Sequence, residues 1–158
     1  FCRDEDIIYI DDFGKELRKI RKEFLSKALK HKFCGYAHSQ KHKIIVKKGN
    51  GSGRQDLIET YGFDTKYASH AVRLLTSVVE ILETHDYHTY RPERELLLDI
   101  RNGKYTMEQV FEILDNLETK VEELYVTSDL PYSCDYNKIN NWLININKKA
   151  LDYDWENK

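Results

Sequence analysis

The chain has 158 residues and a formal net charge of −2 at pH 7, with 41% hydrophobic and 33% charged residues. This length fits one compact domain, or one small domain with an appendage, and the hydrophobic fraction is enough for a core. The charge balance excludes a global positive field, so any contact with nucleic acid requires a local basic patch. No apolar run approaches a membrane span, and three separated cysteines argue against a disulfide framework. We therefore expect a cytoplasmic protein without a membrane partner.

The N-terminal third of the sequence predicts one short strand and two helices. Residues 7–10 form a β-branched and aromatic run that is typical of a strand. Asp11 or Asp12 can then cap a helix. Its apolar face repeats at helical spacing and consists of Phe13, Leu17, Ile20 and Phe24. A second helix is predicted to restart at Ser26 and to reach about Val46. The glycine-rich run 48–53 predicts a loop.

The middle of the chain begins with the clearest helix in the sequence. Asp64 is a good N-cap residue, and the apolar stripe behind it predicts a helix that reaches roughly Thr84. Residues 87–90 alternate in polarity, which indicates a second small strand. Arg91-Pro92 then begins a helix with proline in its first turn, and Asn102-Gly103 ends it.

Two further helices are predicted from their caps. Thr106 and Gln109 form a capping box ahead of a long apolar periodicity. Pro131 interrupts the chain, and Asp135 caps a last helix. The sum predicts an all-α bundle of five to six helices with at most a short β-strand or hairpin.

The Asp64-capped helix carries the strongest candidate site. Lys66, His70 and Arg73 are spaced i, i+4, i+7, so their side chains project from one side of the helix. Lysine supplies a point charge, arginine a bidentate fork and histidine a switchable donor, a combination suited to a phosphate chain. The same triplet also suits a solvated helix face with Arg73 paired to a nearby glutamate.

A second group of polar residues lies on the preceding long helix. Tyr36, His38, Ser39 and Gln40 offer polar tips within about one turn, next to small residues that allow close helix approach. They could form a wall that contacts a base or a sugar. The alternative is ordinary packing, with Tyr36 in the core and Gln40 capping a neighbour.

Other patterns in the sequence are weaker. His85 and His88 have a spacing that can hold a metal, but no third ligand lies nearby, and the sequence favours a polar turn over a metal site. Asp4 and Asp6 also have a metal-binding spacing, although no Gly-Ser turn precedes them. The basic run 41–48 could touch a nucleic-acid backbone or be a solvated helix end.

Several segments together resemble a known group of enzymes. The chain is similar to the DNA polymerase β-like nucleotidyltransferase superfamily, in its bacterial and phage branch of predicted, RNA-repair-associated members. The resemblance extends from about Phe13 to Leu151. The segments that carry it are 24–27, 33–40, 61–66, 70–75, Arg91, 100–103 and 128–131.

The resemblance implies a division of labour between two parts. In that family an N-terminal α/β palm holds two Mg²⁺ ions with a Gly-Ser turn and an acid-x-acid pair, and a helical C-terminal part closes the nucleotide cleft. This chain resembles only the helical part, because the acid-x-acid motif is absent from its expected place. We therefore expect residues 1–12 to be a remnant or linker from a missing palm and residues 13–158 to be the helical nucleotide-cleft domain. By the same resemblance, Mg²⁺ would bind only together with the missing palm, and the chain alone would be inactive.

The resemblance also assigns residues to a nucleoside triphosphate. It implies that Lys66, His70 and Arg73 face the triphosphate, that Arg91 and Arg101 are further candidates for phosphate or acceptor contact, and that the wall opposite is Tyr36, His38, Ser39 and Gln40. Each of the two further arginines could equally be an ion-paired structural residue. The partners expected are a nucleoside triphosphate, a catalytic domain and RNA. The alternative function is a non-enzymatic helical domain that binds protein or RNA.

Overall fold

The computed structural model describes residues 1–46 and 55–152. Over these ranges the chain contains no β-strand but seven α-helices, with short 3₁₀ helices at Asp4–Asp6 and Arg21–Phe24. The α-helices are α1 (Asp12–Ile20), α2 (Leu29–Val46), α3 (Gln55–Tyr61), α4 (Thr65–Thr84), α5 (Arg94–Arg101), α6 (Met107–Thr127) and α7 (Tyr136–Leu151). The all-α prediction is confirmed, and the count exceeds five to six because α3 was not predicted. The predicted loop at 48–53 lies outside the described residues.

Neither of the two predicted strands is present. Residues 7–10 have no partner strand in the described parts of the chain, and Ile8 and Tyr9 are 102% and 79% exposed. In the segment 87–90, side chains form hydrogen bonds with backbone groups that would otherwise pair with a neighbouring strand. The carboxylate of Asp86 accepts from the Tyr87 amide at 2.8 Å, and Arg91 donates to the His88 carbonyl. A β-branched run forms a strand only where a second strand completes its hydrogen bonds.

The helix caps lie where the sequence predicts them. The Asp64 carboxylate accepts from the amides of Lys66 and Tyr67 at 3.0 and 3.2 Å, which fixes the first turn of α4. The capping box of α6 is complete, and Asp11 and Asp135 cap α1 and α7. The caps therefore determine the helix starts in these four cases.

Three boundaries differ from prediction. Helix α1 ends at Ile20 and continues as a 3₁₀ turn to Phe24. Helix α2 begins at Leu29 rather than Ser26. The Ser26 and Lys27 carbonyls accept from the Leu29 and Lys30 amides in tight turns, and the Lys27 amide donates to the Pro131 carbonyl at 2.8 Å. Helix α5 begins at Arg94, two residues after the proline that was expected to start it.

Helix α4 is the centre of the molecule. It buries ten residues, and the side chains of Ala71, Val72, Leu75 and Val78 have no exposed surface. Helices α2, α5 and α6 surround it. Helix α2 runs antiparallel to α4, since Tyr36 contacts His70 whereas Leu29 and Phe33 pack near Leu82. In the described ranges no helix is both long and apolar enough to cross a bilayer.

The α5–α6 turn is fixed tightly against the start of α4. Gly103 has a positive φ of 73°, and a Cβ there would lie 2.0 Å from the Tyr61 ring. Only glycine combines that backbone conformation with so close an approach. The Thr65 hydroxyl donates to the Arg101 carbonyl at 3.0 Å. These contacts hold the end of α5 beside the first turn of α4.

Candidate anion-binding site

Helices α2, α4 and α5 enclose a cavity of about 460 Å³, which we call the α2–α4 cavity. Helix α5 contributes one lining residue, Arg101, and the other two helices contribute the rest. The lining residues from α2 and α4 are Tyr36, Gln40, Lys66, Tyr67, Ser69, His70 and Arg73. The volume falls in the range of small-molecule sites, about 300–1,000 Å³.

The side chains meet where α2 and α4 run antiparallel. The Tyr36 and His70 rings make an edge-to-face contact, with centroids 5.5 Å apart. One turn along, a guanidinium nitrogen of Arg73 lies 3.2 Å from His70 Nδ1. At the other end of the cavity, Lys43 Nζ lies 5.5 Å from the centroid of the Tyr67 ring. The i, i+4, i+7 spacing thus places cationic groups of α4 opposite an aromatic residue of α2.

The cations of this cavity have no acidic partners in the described residues. Lys66, Arg73 and Arg101 make no ion pair there, and no aspartate or glutamate lines the cavity. Elsewhere on the surface such pairs are frequent, as between Lys30 and Glu122 at 2.5 Å. A group of unpaired cations around one concavity produces a local positive potential despite the net charge of −2. The arrangement is suited to an anion.

The protonation state of His70 depends on whether an anion is bound. Burial, and then the positive charges of Arg73 and Lys43, lower the pKa of His70 below its ordinary value of about 6.5. Because Arg73 donates to Nδ1, the proton of the neutral imidazole resides on Nε2. His70 is therefore a neutral hydrogen-bond donor at pH 7. A bound anion would favour its protonated form.

Gln40 has an unmet hydrogen-bond requirement. Its side chain lines the cavity from α2, and the residue is only 2% exposed. Its Nε2 atom has no hydrogen-bond partner among the described residues. A buried polar group without a partner costs about 1–3 kcal/mol of stability.

Contacts behind the cavity hold its wall in place. The Ser69 hydroxyl donates to the Leu97 carbonyl at 3.0 Å, and Thr65 holds the Arg101 carbonyl from the same helix. Both bonds link α4 to α5. Arg101 therefore enters the cavity from a fixed position rather than from a free helix end.

The structure brings together six of the nine residues that the sequence proposed as a site. Tyr36, Gln40, Lys66, His70, Arg73 and Arg101 share the cavity. The wall of α2 is narrower than predicted, because His38 and Ser39 do not line it and His38 is exposed. Positions four apart share a helix face, whereas His38 and Ser39, two of the three residues between Tyr36 and Gln40, do not face the cavity.

Arg91, the ninth residue, takes the structural role that was its alternative. It is 8% exposed and pairs with Glu80 and with Glu93, the latter at 3.0 Å, while also donating to the His88 carbonyl. Burial alone would lower the pKa of Arg91, but the hydrogen bonds to Glu93 and Glu80 raise it. The guanidinium N–H groups of Arg91 are therefore already hydrogen-bonded within the protein and are not available to a ligand.

Sequence reasoning did not assign Lys43, Tyr67 or Ser69 to the site. Lys43 belongs to the basic run 41–48, which was considered for nucleic acid as a whole. The structure separates that run, since Lys41 pairs with Asp115 at 2.5 Å and Lys43 lies near the cavity. Lys47 and Lys48 lie outside the described residues. Only the register of α2 against α4 distinguishes these lysines, and the run itself carries no such signal.

Within residues 1–46 and 55–152, the carboxylates and histidines do not fit a metal centre. Asp4 pairs with Arg18 and Asp6 with Arg3, while His88 Nδ1 contacts Glu80 at 2.5 Å. The described residues contain no group of three or more histidine, cysteine, aspartate or glutamate side chains that could hold an ion. Two-metal chemistry needs carboxylates on both sides of the reacting phosphate. We therefore derive no step through Mg²⁺ from these residues.

Comparison of the chain with protein-family models, with curated proteins and with solved structures finds no match.

Proposed function

We propose that this chain is the helical, nucleotide-binding domain of a nucleotidyltransferase and that the α2–α4 cavity holds a nucleoside triphosphate. One observation carries the proposal: four cation-capable side chains surround a cavity that no carboxylate lines. They are Lys66, His70, Arg73 and Arg101. The resemblance described above suggests the reaction class. The charges around the cavity support an anionic ligand.

Each side chain has a separate task in this proposal. Arg73 and Arg101 bind phosphate oxygens through their planar forks, and Lys66 adds a charge at the exposed rim. Neutral His70 donates from Nε2. Tyr36 offers a half-exposed ring on which a base can stack.

The contribution of this domain is positioning. Cations on two helices orient a flexible phosphate chain and neutralise its charge, which lowers the entropic part of a transfer barrier. By the resemblance, Mg²⁺ and the carboxylates that hold it would come from a catalytic palm. The described residues supply binding and orientation, and we assign them no bond-making step.

The test is titration of the ¹⁵N-labelled protein with ATP, with and without Mg²⁺, followed by NMR. We expect amide shifts at residues 36–40, 66–73 and 101. Lys66→Gln and Arg73→Gln should each weaken binding about tenfold or more, since charge-assisted hydrogen bonds contribute about 1.5–3 kcal/mol. Lys148→Gln, an exposed charge on α7, is the matched control and should bind normally. Shifts that avoid these segments would contradict the proposal.

A second candidate function, protein association, is favoured by a different surface. An apolar groove of about 730 Å³ lies between the N-terminal segment and α1, and its lining includes Ile8, Tyr9, Leu17 and Phe24, all of them exposed. Exposed apolar surfaces of this kind are typical of interaction sites. If two copies of the chain associate there, light scattering should give a mass that rises with concentration and falls for Ile8→Glu. A constant monomer mass would exclude this self-association.

A further inference from the structure

A second cavity, of about 380 Å³, adjoins the first one. We call it the α5 cavity, because four of its lining residues come from that helix. The two cavities share two lining residues, Ser69 and Arg101. Arg101 therefore faces both spaces, and one extended ligand could reach from the first cavity into the second.

Helix α5 presents one continuous face to this space. Arg94, Leu97, Leu98 and Arg101 are spaced i, i+3, i+4, i+7 and all line the cavity. The seven-residue separation puts the two arginine positions about 10 Å apart along the helix axis. Two leucines lie between them. A face with a cation at each end and an apolar centre suits a ligand that alternates charged and flat apolar parts.

The guanidinium groups of both terminal arginines are available to bind a ligand. Arg101 has no carboxylate partner in the described ranges, and no acidic residue lines the α5 cavity. Arg94 pairs with Glu95 at 2.9 Å, but both side chains are exposed. Such surface pairs contribute roughly 0–1 kcal/mol and are easily replaced. Arg91, by contrast, is held by Glu80 and Glu93.

An aromatic ring completes the cavity. Tyr90 lines it and is 55% exposed. The guanidinium carbon of Arg3 lies 4.3 Å from the centroid of this ring, which restrains its orientation. Together with the exposed part of Leu98, the ring offers an apolar surface for a planar group. Bases of single strands stack on exposed aromatic side chains in this way.

We propose that the α5 cavity binds a nucleotide unit of a single-stranded nucleic acid, next to the unit in the α2–α4 cavity, with Arg101 at the phosphate between them. This inference rests on the proposed function, because it takes the first cavity as a nucleotide site. It names the second ligand group: a base on Tyr90 and Leu98, with its phosphates at Arg94 and Arg101. Each cavity then combines an aromatic ring with cations, and the shared arginine joins them.

The experiment compares two probes, ATP and a fluorescein-labelled hexanucleotide of adenosine, by titration and fluorescence anisotropy. Tyr90→Ala should weaken hexanucleotide binding about tenfold, the effect of losing one base stack, and leave ATP binding unchanged. Leu98→Glu should weaken it more, because a carboxylate would then face the phosphates. Arg101→Gln should weaken both probes. Tyr136→Ala and Leu143→Glu, on exposed positions of α7, are matched controls that should bind both probes normally.

The outcomes separate this inference from the proposed function. If ATP binds but Tyr90→Ala and Leu98→Glu bind the hexanucleotide as the wild type does, the α5 cavity is not a nucleotide site and the first cavity stands. If Lys66→Gln abolishes hexanucleotide binding while Tyr90→Ala and Leu98→Glu leave it unchanged, the strand uses only the first cavity and the inference is wrong. If neither probe binds the wild type, both proposals fail. Circular dichroism on each variant identifies any loss of binding that comes from unfolding.

Discussion

Replacing Gln40 by methionine should stabilise the protein and weaken its ligand binding at the same time. The residue is almost fully buried, and its Nε2 atom lacks a partner among the described residues. Methionine is similar in length and unbranched, so it can fill the same space without a polar atom. Removing an unsatisfied donor recovers part of its desolvation penalty, about 1–3 kcal/mol.

The expected gain can be expressed in measurable terms. We expect the free energy of unfolding from urea titration to rise by about 1–2 kcal/mol. For a domain of this size, each kcal/mol shifts Tm by about 2–4 °C. If the Gln40 side chain contacts a bound ligand, the same variant should bind ATP several-fold more weakly, because one hydrogen bond contributes about 0.5–1.5 kcal/mol.

Thr65→Val is the matched comparison. Its hydroxyl is also buried, but it donates to the Arg101 carbonyl. Removing it should destabilise the protein by about 1 kcal/mol, the opposite sign from Gln40→Met. A Gln40→Met variant that loses stability would refute the reasoning, since the amide would then be contributing a hydrogen bond to the fold. Higher stability with unchanged ATP affinity would show that Gln40 does not contact the ligand.

Three further predictions concern pH, a buried ion pair and a turn. Sulfate should bind more tightly as the pH falls toward the lowered pKa of free His70, because burial and then the charges of Arg73 and Lys43 lower that pKa and a bound anion favours the charged form. Calorimetry should find this pH dependence lost in His70→Gln. Glu80→Gln should lower the free energy of unfolding by about 3 kcal/mol, since it removes one partner of buried Arg91, and urea titration measures the loss. Gly103→Ala should be destabilised by more than 1 kcal/mol in the same assay, because φ is 73° and the Tyr61 ring lies 2.0 Å from the added Cβ; an unchanged midpoint would contradict this account.

Much of the fold could be predicted from the sequence, because helix starts are encoded locally. Asp64, Thr106 and Asp135 each supply an oxygen to amides within three residues, so their effect needs no distant partner. Gly103 marks the end of α5 for an equally local reason, its left-handed φ. The strand predicted at residues 7–10 failed because pairing is not local. A strand needs a neighbour, and the described structure provides none.

The candidate site also has a part that local sequence predicts and a part that depends on how the helices pack. The spacing of Lys66, His70 and Arg73 is a property of one helix, so the sequence by itself placed them on one side. Which residues stand opposite them depends on the register of α2 and α5 against α4. That register results from core packing around Ala71 and Leu75, and no local pattern records it.

The two further arginines show what only the tertiary structure decided. Arg91 and Arg101 have the same side-chain chemistry, and the sequence left both roles open for each. Folding places Arg91 against two glutamates and directs Arg101 into a space without any acidic lining. Whether a cation is available to a ligand depends on which charges the fold brings beside it. For Arg91 one partner, Glu93, is two residues away, whereas the other, Glu80, comes from helix α4.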